Sequence, residues 1–270
     1  MILFANAKIN LGLQVTEKRT DNYHNLCSVF YPLPIYDVIE LTPTEGEFEF
    51  VATGLDIPDG GENLCVKAYN LLKADFEQIK PIRLHLHKNI PIGAGLGGGS
   101  SDASFVLKGL NEMFELGLSS EELKTYDGKL GADCPFFIDN TPQLATGIGT
   151  DLEDISLSLK DFYIVLVKPE IHISTAEAYS NVTPMFTDVN LKEAIQLPVQ
   201  DWKFYIKNDF EEGIFKLHKQ IRFLKEAFYA EGAVYASMTG SGSAVYGIFW
   251  EKQEVPNLAK FGTIYYPTEV

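Results

Sequence analysis

Pro91-Ile92-Gly93-Ala94-Gly95-Leu96-Gly97-Gly98-Gly99-Ser100-Ser101 is the stretch around which the reading of this chain turns. Five glycines in the seven positions from Gly93 to Gly99 leave backbone N–H groups unshielded by side chains. The stretch then runs into a predicted helix. Bare amides at a helix N-terminus, where the peptide dipoles favour negative charge, can wrap a polyphosphate. A glycine cluster can also be no more than a mobile turn. The helix start that follows favours the anion-binding reading.

Several familiar glycine loops can be tested against the spacing. A Walker A loop needs Gly-x-x-x-x-Gly-Lys-Ser/Thr; Gly93 to Gly98 has the first spacing, but Gly99 stands where the lysine belongs. Gly93-x-Gly95-x-x-Gly98 fits the dinucleotide fingerprint formally, yet it follows some ninety residues with no repeated βα pattern. A protein kinase would need His-Arg-Asp and Asp-Phe-Gly after its loop, and neither occurs. A serine hydrolase would need a Gly-x-Ser-x-Gly elbow, which is also missing.

Length and charge narrow the classes further. A chain of 270 residues fits two domains, and a boundary near residue 155 divides it into 1–155 and 156–270. The net charge of −15 disfavours nucleic acid and anionic membranes as partners. It also means that a phosphate site here relies on local amides, one or two placed lysines and Mg²⁺. No apolar run approaches a membrane span, and the start of the chain lacks the features of a signal peptide. Cys27, Cys65 and Cys134 are odd in number and widely spaced, as expected of reduced thiols in a cytoplasmic protein.

Along the chain, residues 2–15 read as a strand in which Ile9, Leu11, Leu13 and Val15 alternate with Lys8, Asn10, Gly12 and Gln14, so that Lys8 and Asn10 share a face. Residues 29–41 are extended and carry Pro32 and Pro34, as an edge strand would. A helical pattern covers 63–75, and Ile82–Lys88 alternates directly into the glycine loop. Ala103, Leu107, Leu110 and Phe114 mark the helix after the loop, beginning near 100–102, and Ser119 with Glu122 forms a capping box. Phe210, Ile214, Leu217, Ile221, Leu224 and Phe228 step by three and four, predicting one long amphipathic helix. A second glycine-rich turn, Thr239–Ala244, separates strands over 233–238 and 245–250. Strands and helices mix irregularly in both halves, which favours an α+β fold.

The loop, with Lys8-Ile-Asn10-Leu, Gly131-Ala-Asp133 and Thr239-Gly-Ser-Gly-Ser-Ala in that order along the chain, resembles the signature of the GHMP kinases (galacto-, homoserine, mevalonate and phosphomevalonate kinases). The resemblance implies a two-domain architecture: a ribosomal protein S5 domain 2-like N-terminal half and a ferredoxin-like C-terminal half. It also implies ATP with Mg²⁺ in the glycine loop. Ala7–Leu11, Arg19-x-Asp21-x-Tyr23-His24-x-Leu26, Glu62-Asn63-Leu64 and Gly131–Phe137 are similar to the branch that phosphorylates a small cytidine-diphosphate-linked polyol. The acceptor group implied is the tertiary 2-hydroxyl of a methylerythritol, in the non-mevalonate route to isoprenoids. Two positions depart from the pattern. Asn22 replaces a usual glycine, and asparagine tolerates a left-handed turn; Cys134 replaces a usual valine or isoleucine.

By that resemblance, residues 91–101 hold the triphosphate, and the Ser100 and Ser101 hydroxyls reach phosphate or magnesium unless one of them serves as a helix cap. Asp133 orients or deprotonates the acceptor hydroxyl, where a turn-capping role is the plain structural alternative. Lys8 lies beside Asp133, lowers its pKa and offsets charge on the transferring group, rather than being a solvated strand lysine. Tyr23, His24 and Tyr179 contact cytidine, and Asn10 and Thr175 the acceptor's diphosphate or polyol. Asn63 and Lys88 belong to the adenine or ribose end. His85 and His87 lack a third ligand of matching spacing and read as a solvated strand face, and no protein ligand for magnesium is assigned. Two rivals stay open. One is another small-molecule member of the family, of the homoserine or mevalonate type. The other is a non-catalytic nucleotide-binding or RNA-associated module, which the charge opposes. A monomer or weak homodimer is expected.

Overall fold

The computed structural model describes residues 1–58 and 62–267. They form two compact units, neither of them continuous in sequence. The first takes Met1–Lys8, Pro32–Ile92 and Gly97–Thr141; the second takes Ile9–Tyr31, Gly93–Leu96 and the chain from Pro142 onward. The expected boundary near 155 is a single cut along the chain, whereas residues 9–31 and 142–155 both fall in the second unit.

Two long strands run through both units: β1 (Ile2–Lys18) and β2 (His24–Pro43), which pair with each other. In the first unit β2 continues antiparallel to β4 (Ile82–Lys88), Val38 facing His87 and Pro43 facing Ile82. On the other side of β4 lies parallel β3 (Glu49–Gly54), and the return between the two is α1 (Leu64–Asp75), capped by Asn63. After the glycine loop come α2 (Gly98–Met113), α3 (Ser120–Asp127) and α4 (Phe136–Asp139). The capping box of α3 is present in both directions: Ser119 Oγ accepts from Glu122 N–H, and Glu122 accepts from Ser119 N–H. The core sets Ile39, Leu41, Leu84 and Leu86 of the sheet against Cys65, Ala68 and Leu72 of α1 and Ala103, Val106, Leu107 and Leu110 of α2. Helix α2 seats closely because Gly109 has no side chain: a β-carbon there would lie 2.6 Å from Leu3 Cδ1 and 2.7 Å from Leu41 Cδ1.

The second unit holds β5 (Gln143–Thr146) and β6 (Asp151–Asp154), with β5 antiparallel to Ser28–Phe30 of β2. The prolines of β2 therefore do not mark an edge strand. Pro32 and Pro34 fall between the residues paired with β5 and those paired with β4, so neither of those two ladders loses a donor to them. A separate antiparallel sheet contains β7 (Tyr163–Lys168), β8 (Tyr235–Met238), β9 (Val245–Phe249) and β10 (Thr263–Tyr265), in spatial order β10-β7-β9-β8. Read in chain order that is 4-1-3-2, the ferredoxin-like arrangement. Between β7 and β8 run α5 (Thr175–Ser180), α6 (Leu191–Ala194), α7 (Trp202–Tyr205), α8 (Phe210–Leu217) and α9 (Lys219–Ala230).

The long helix expected over 210–228 is thus two helices. His218 leaves helical geometry at φ −122° and ψ 74°, and its Nε2 lies 2.9 Å from Glu177 Oε1 on α5. Ile221, Leu224 and Phe228 stay in the core, while Leu217, one step before the break, is 53% exposed.

Candidate active site

In the first unit, Lys8 and Asp133 come together. Every residue of β1 from Ala5 to Val15 is buried, so Lys8 is no solvated strand lysine. Its Nζ lies 3.4 Å from Asp133 Oδ2, and the Asp133 side chain is 38% exposed. Asp133 sits in a tight turn: Leu130 and Gly131 N–H donate to the Asp127 carbonyl, and Cys134 N–H donates to Gly131. Ser104 Oγ on α2 donates to the Cys134 carbonyl at 2.9 Å and ties the turn to the helix. Beside Lys8 stands Gly97, the N-cap of α2, at φ 68° and ψ 15°. A β-carbon at Gly97 would lie 3.0 Å from Phe137 Cζ and 3.1 Å from Lys8 Cγ. Conformation and space both require glycine there. The amides of Gly98, Gly99 and Ser100 precede the first helical hydrogen bond, Ser101 N–H to Gly97 C=O. A helix start with free donors, a lysine and a reachable carboxylate therefore belong to one unit.

Beneath that helix start lies a second group of charges. Lys88 Nζ pairs with Asp37 Oδ2 and, at 2.7 Å, with Asp102 Oδ2; all three side chains are buried. Burial disfavours the Lys88 charge, but the two carboxylates outweigh it and raise its pKa. Burial pushes the Asp102 carboxyl well above its ordinary range, against the pull of Lys88. Asp127, at the end of α3, is fully buried, and neither carboxyl oxygen has a hydrogen-bond partner among the described residues. Burial pushes its pKa up to about 7, against Ser104 and Lys108. Burial likewise pushes the Cys134 thiol to about 12, which keeps it protonated beside Asp133.

In the second unit the glycine stretch is clamped by Thr239. A β-carbon on Gly95 (φ +77°) would meet the Thr239 carbonyl oxygen at 2.1 Å. Thr239 Oγ1 donates to Gly95 C=O at 3.1 Å and accepts from Asn10 N–H at 3.0 Å. The next peptides are held by Asn208 Nδ2, which donates to Met238 C=O and Gly240 C=O. His172 covers Gly93, its Cε1 and Nδ1 each 3.0 Å from where a β-carbon would be. His24 stacks on Tyr179 with ring centroids 4.8 Å apart, and Tyr179 meets the edge of Phe210. Burial lowers the His24 pKa, with help from Lys18. Asn22 carries the left-handed turn before it at φ 68°.

Residues 63–140 match the GHMP kinases N terminal domain, and residues 192–268 match the GHMP kinases C terminal family. The 4-diphosphocytidyl-2-C-methyl-D-erythritol kinase of Bacteroides fragilis is 47% identical over 274 residues, covering 100% of both chains. The chain belongs to the GHMP kinases. The protein of the same name from Bacteroides thetaiotaomicron is 50% identical over 260 residues, covering 95% of this GHMP kinase and 94% of that one. A crystal structure of 4-(cytidine 5'-diphospho)-2C-methyl-D-erythritol kinase superposes with a TM-score of 0.81 at 30% identity, over 98% of this chain and 97% of that one.

Several expected residues of this GHMP kinase sit differently from their sequence reading. Neither Ser100 nor Ser101 caps α2. Gly97 does, because the helix begins two residues before Ser100, and Ser101 is buried with its hydroxyl unpartnered among the described residues. Asn10 is buried, its amide donating to Ser28 Oγ at 2.8 Å and its carbonyl accepting from Tyr246 OH at 2.9 Å. Tyr23 is 61% exposed, whereas His24 and Tyr179 are in contact. Thr175 is exposed in the first turn of α5, which Ser174 caps. Asn63 Oδ1 caps α1 through Cys65 N–H, and Lys88 is enclosed by carboxylates. Both His85 and His87 hydrogen-bond the Thr53 hydroxyl. Sequence reading missed Asp37, Asp102, Asp127 and the Thr239 clamp. The one signal for Asp37 was a carboxylate set inside the apolar run Ile35-Tyr-Asp-Val-Ile39.

Proposed function

We propose that this GHMP kinase transfers the γ-phosphoryl group of ATP to the 2-hydroxyl of 4-diphosphocytidyl-2-C-methyl-D-erythritol, a step in isoprenoid precursor synthesis. The observation that carries the chemistry is the pairing of buried Lys8 with half-exposed Asp133 beside the Gly97 helix start. Phosphoryl transfer asks a protein mainly for position and charge neutralisation. In this reading Asp133 accepts a hydrogen bond or the proton from the acceptor hydroxyl, and Lys8 Nζ faces the charge that grows on the transferring group. Free amides of residues 98–100 and the Thr239-clamped glycines bind phosphate oxygens, and Ser100 contributes its hydroxyl. His24 and Tyr179 form an aromatic pair for the cytosine, with Tyr23 beside them; exposed Thr175 meets the acceptor's diphosphate or polyol, while buried Asn10 serves by holding Thr239.

Among the described residues no three His, Cys, Asp or Glu side chains gather as a metal site. Asp133 and Ser100 are hard oxygen donors that would hold a magnesium ion carried in on the triphosphate. Bound there, such an ion would supply charge neutralisation to the phosphates during transfer. The net charge of −15 and three free cysteines support a small-molecule enzyme of the cytoplasm. The test is ATP consumption by the purified protein with the cytidylated acceptor, homoserine or mevalonate. Turnover only with the first, inhibited by cytidine nucleotides, is expected. Turnover with homoserine or mevalonate and none with the cytidylated acceptor would overturn the assignment.

A further inference from the structure

Residues 91–101 leave the first unit at Gly93 and return to it at Gly97, and both ends of that excursion are fastened to one buried chain of charges. At the entry, Asp37 Oδ1 on β2 accepts the backbone N–H groups of Asn89 (2.5 Å) and Ile90 (2.8 Å), while Oδ2 pairs with Lys88 Nζ. At the exit, Asp102 in the first turn of α2 holds the same ammonium through Oδ2 at 2.7 Å. Asp37, Lys88 and Asp102 are 0%, 5% and 2% exposed. Gly98 stands over the ammonium: a β-carbon there would lie 3.3 Å from Lys88 Nζ and 2.9 Å from Ile90 Cγ2. Burying two carboxylates with one ammonium carries a large desolvation penalty, and apolar residues of similar size often serve stability as well or better. Stability alone is therefore a weak account of this cluster.

We propose that Asp37, Lys88 and Asp102 are positioning residues that hold the glycine loop in its polyphosphate-binding shape before the nucleotide arrives. This rests on reading the loop as the ATP site. Pinning both ends leaves the loop fewer conformations to lose on binding, so less of the interaction energy is spent on ordering it. Lys88 bridges the pins under Gly98, behind the amides that face the ligand. None of the three touches the reacting atoms.

The triple variant Asp37→Asn, Lys88→Met, Asp102→Asn removes every charge of the cluster and so leaves no unpaired buried ion. It is to be compared with the wild type for affinity toward a non-hydrolysable ATP analogue, affinity toward CDP, kcat at saturating ATP, and amide exchange at Asn89 and Ile90. The expected result is ATP-analogue binding about tenfold or more weaker, with CDP affinity and kcat kept within a few fold and faster exchange at both amides. Asp37→Asn alone should raise KM for ATP without a matching fall in kcat, and it carries the test should the triple variant not fold. Wild-type ATP-analogue affinity in the folded triple variant overturns the proposal, and so does a parallel loss of CDP affinity, the mark of general loosening. A wild type that binds no ATP analogue overturns the functional reading and this inference together; equal affinities overturn the inference alone.

Discussion

Replacing Asp127 by asparagine should stabilise the first unit, and the gain should grow with pH. The Asp127 carboxyl is fully buried without a hydrogen-bond partner among the described residues, and burial raises its pKa from 3.8 to about 7. Between those two values the unfolded chain has released the proton and the folded chain retains it. Folding then takes up a proton, so stability falls as pH rises. The contribution is intact below pH 3.8, shrinks up to about pH 7 and is flat above it. A shift of about three units corresponds to roughly 4 kcal/mol at the plateau. Asparagine keeps the shape and the polar burial of the neutral acid and removes the titration. The variant should therefore match the wild type near pH 4 and exceed it by up to about 4 kcal/mol at pH 8. Trp202 and Trp250 both lie in the second unit, so tryptophan fluorescence reports the other part of the molecule. Pulsed thiol labelling of Cys65, buried in the first core, reads the relevant unfolding along a urea series at each pH. A stability difference that stays constant from pH 4 to pH 8 would refute the reasoning.

Four other substitutions test separate parts of the site. Lys8→Ala and Asp133→Ala should each cut kcat by about two to four orders of magnitude, with thermal unfolding close to wild type for Asp133→Ala; turnover near the wild-type rate in either removes that residue from the chemistry. Gly95→Ala drives a β-carbon against the Thr239 carbonyl at 2.1 Å, in a backbone conformation that alanine resists, so KM for ATP should rise well beyond that for the acceptor. His24→Ala removes the stack on Tyr179, worth about 0.5–1.5 kcal/mol, and should raise KM for the cytidylated acceptor by about two- to tenfold while leaving that for ATP alone. An unchanged acceptor KM would detach the stack from the base.

What could be read along the chain was local. The glycine loop, the strand leading into it, the Ser119 capping box and the left-handed Asn22 depend on neighbours a few residues away, and the structure carries each of them. The break at His218 was illegible because the three-and-four step runs through it without a fault; only the meeting of His218 with Glu177 on another helix accompanies the interruption. Pro32 and Pro34 misled for a related reason: a strand that passes from β5 to β4 midway has a stretch where a missing donor costs neither of those ladders a bond. The site was legible in its residue types but not in their depth. Lys88 looked like a nucleotide contact until Asp37, 51 positions away, enclosed it, and Asn10 owes its burial partly to Thr239, 229 positions away. Such pairings leave no periodic trace.

The seat of α2 rests on an absence. With only a hydrogen on Gly109, the helix backbone settles against Leu3 and Leu41, and that contact acts as a depth stop. One methyl group there would lift the helix and carry its whole N-terminal turn outward. The height at which Gly98 and Ser100 present their amides is therefore gauged by two leucines of the sheet, Leu3 and Leu41, which meet the helix further along, at Gly109. Drift among the loop's own residues can alter how tightly a ligand is gripped; the level at which it rests is inherited from the sheet.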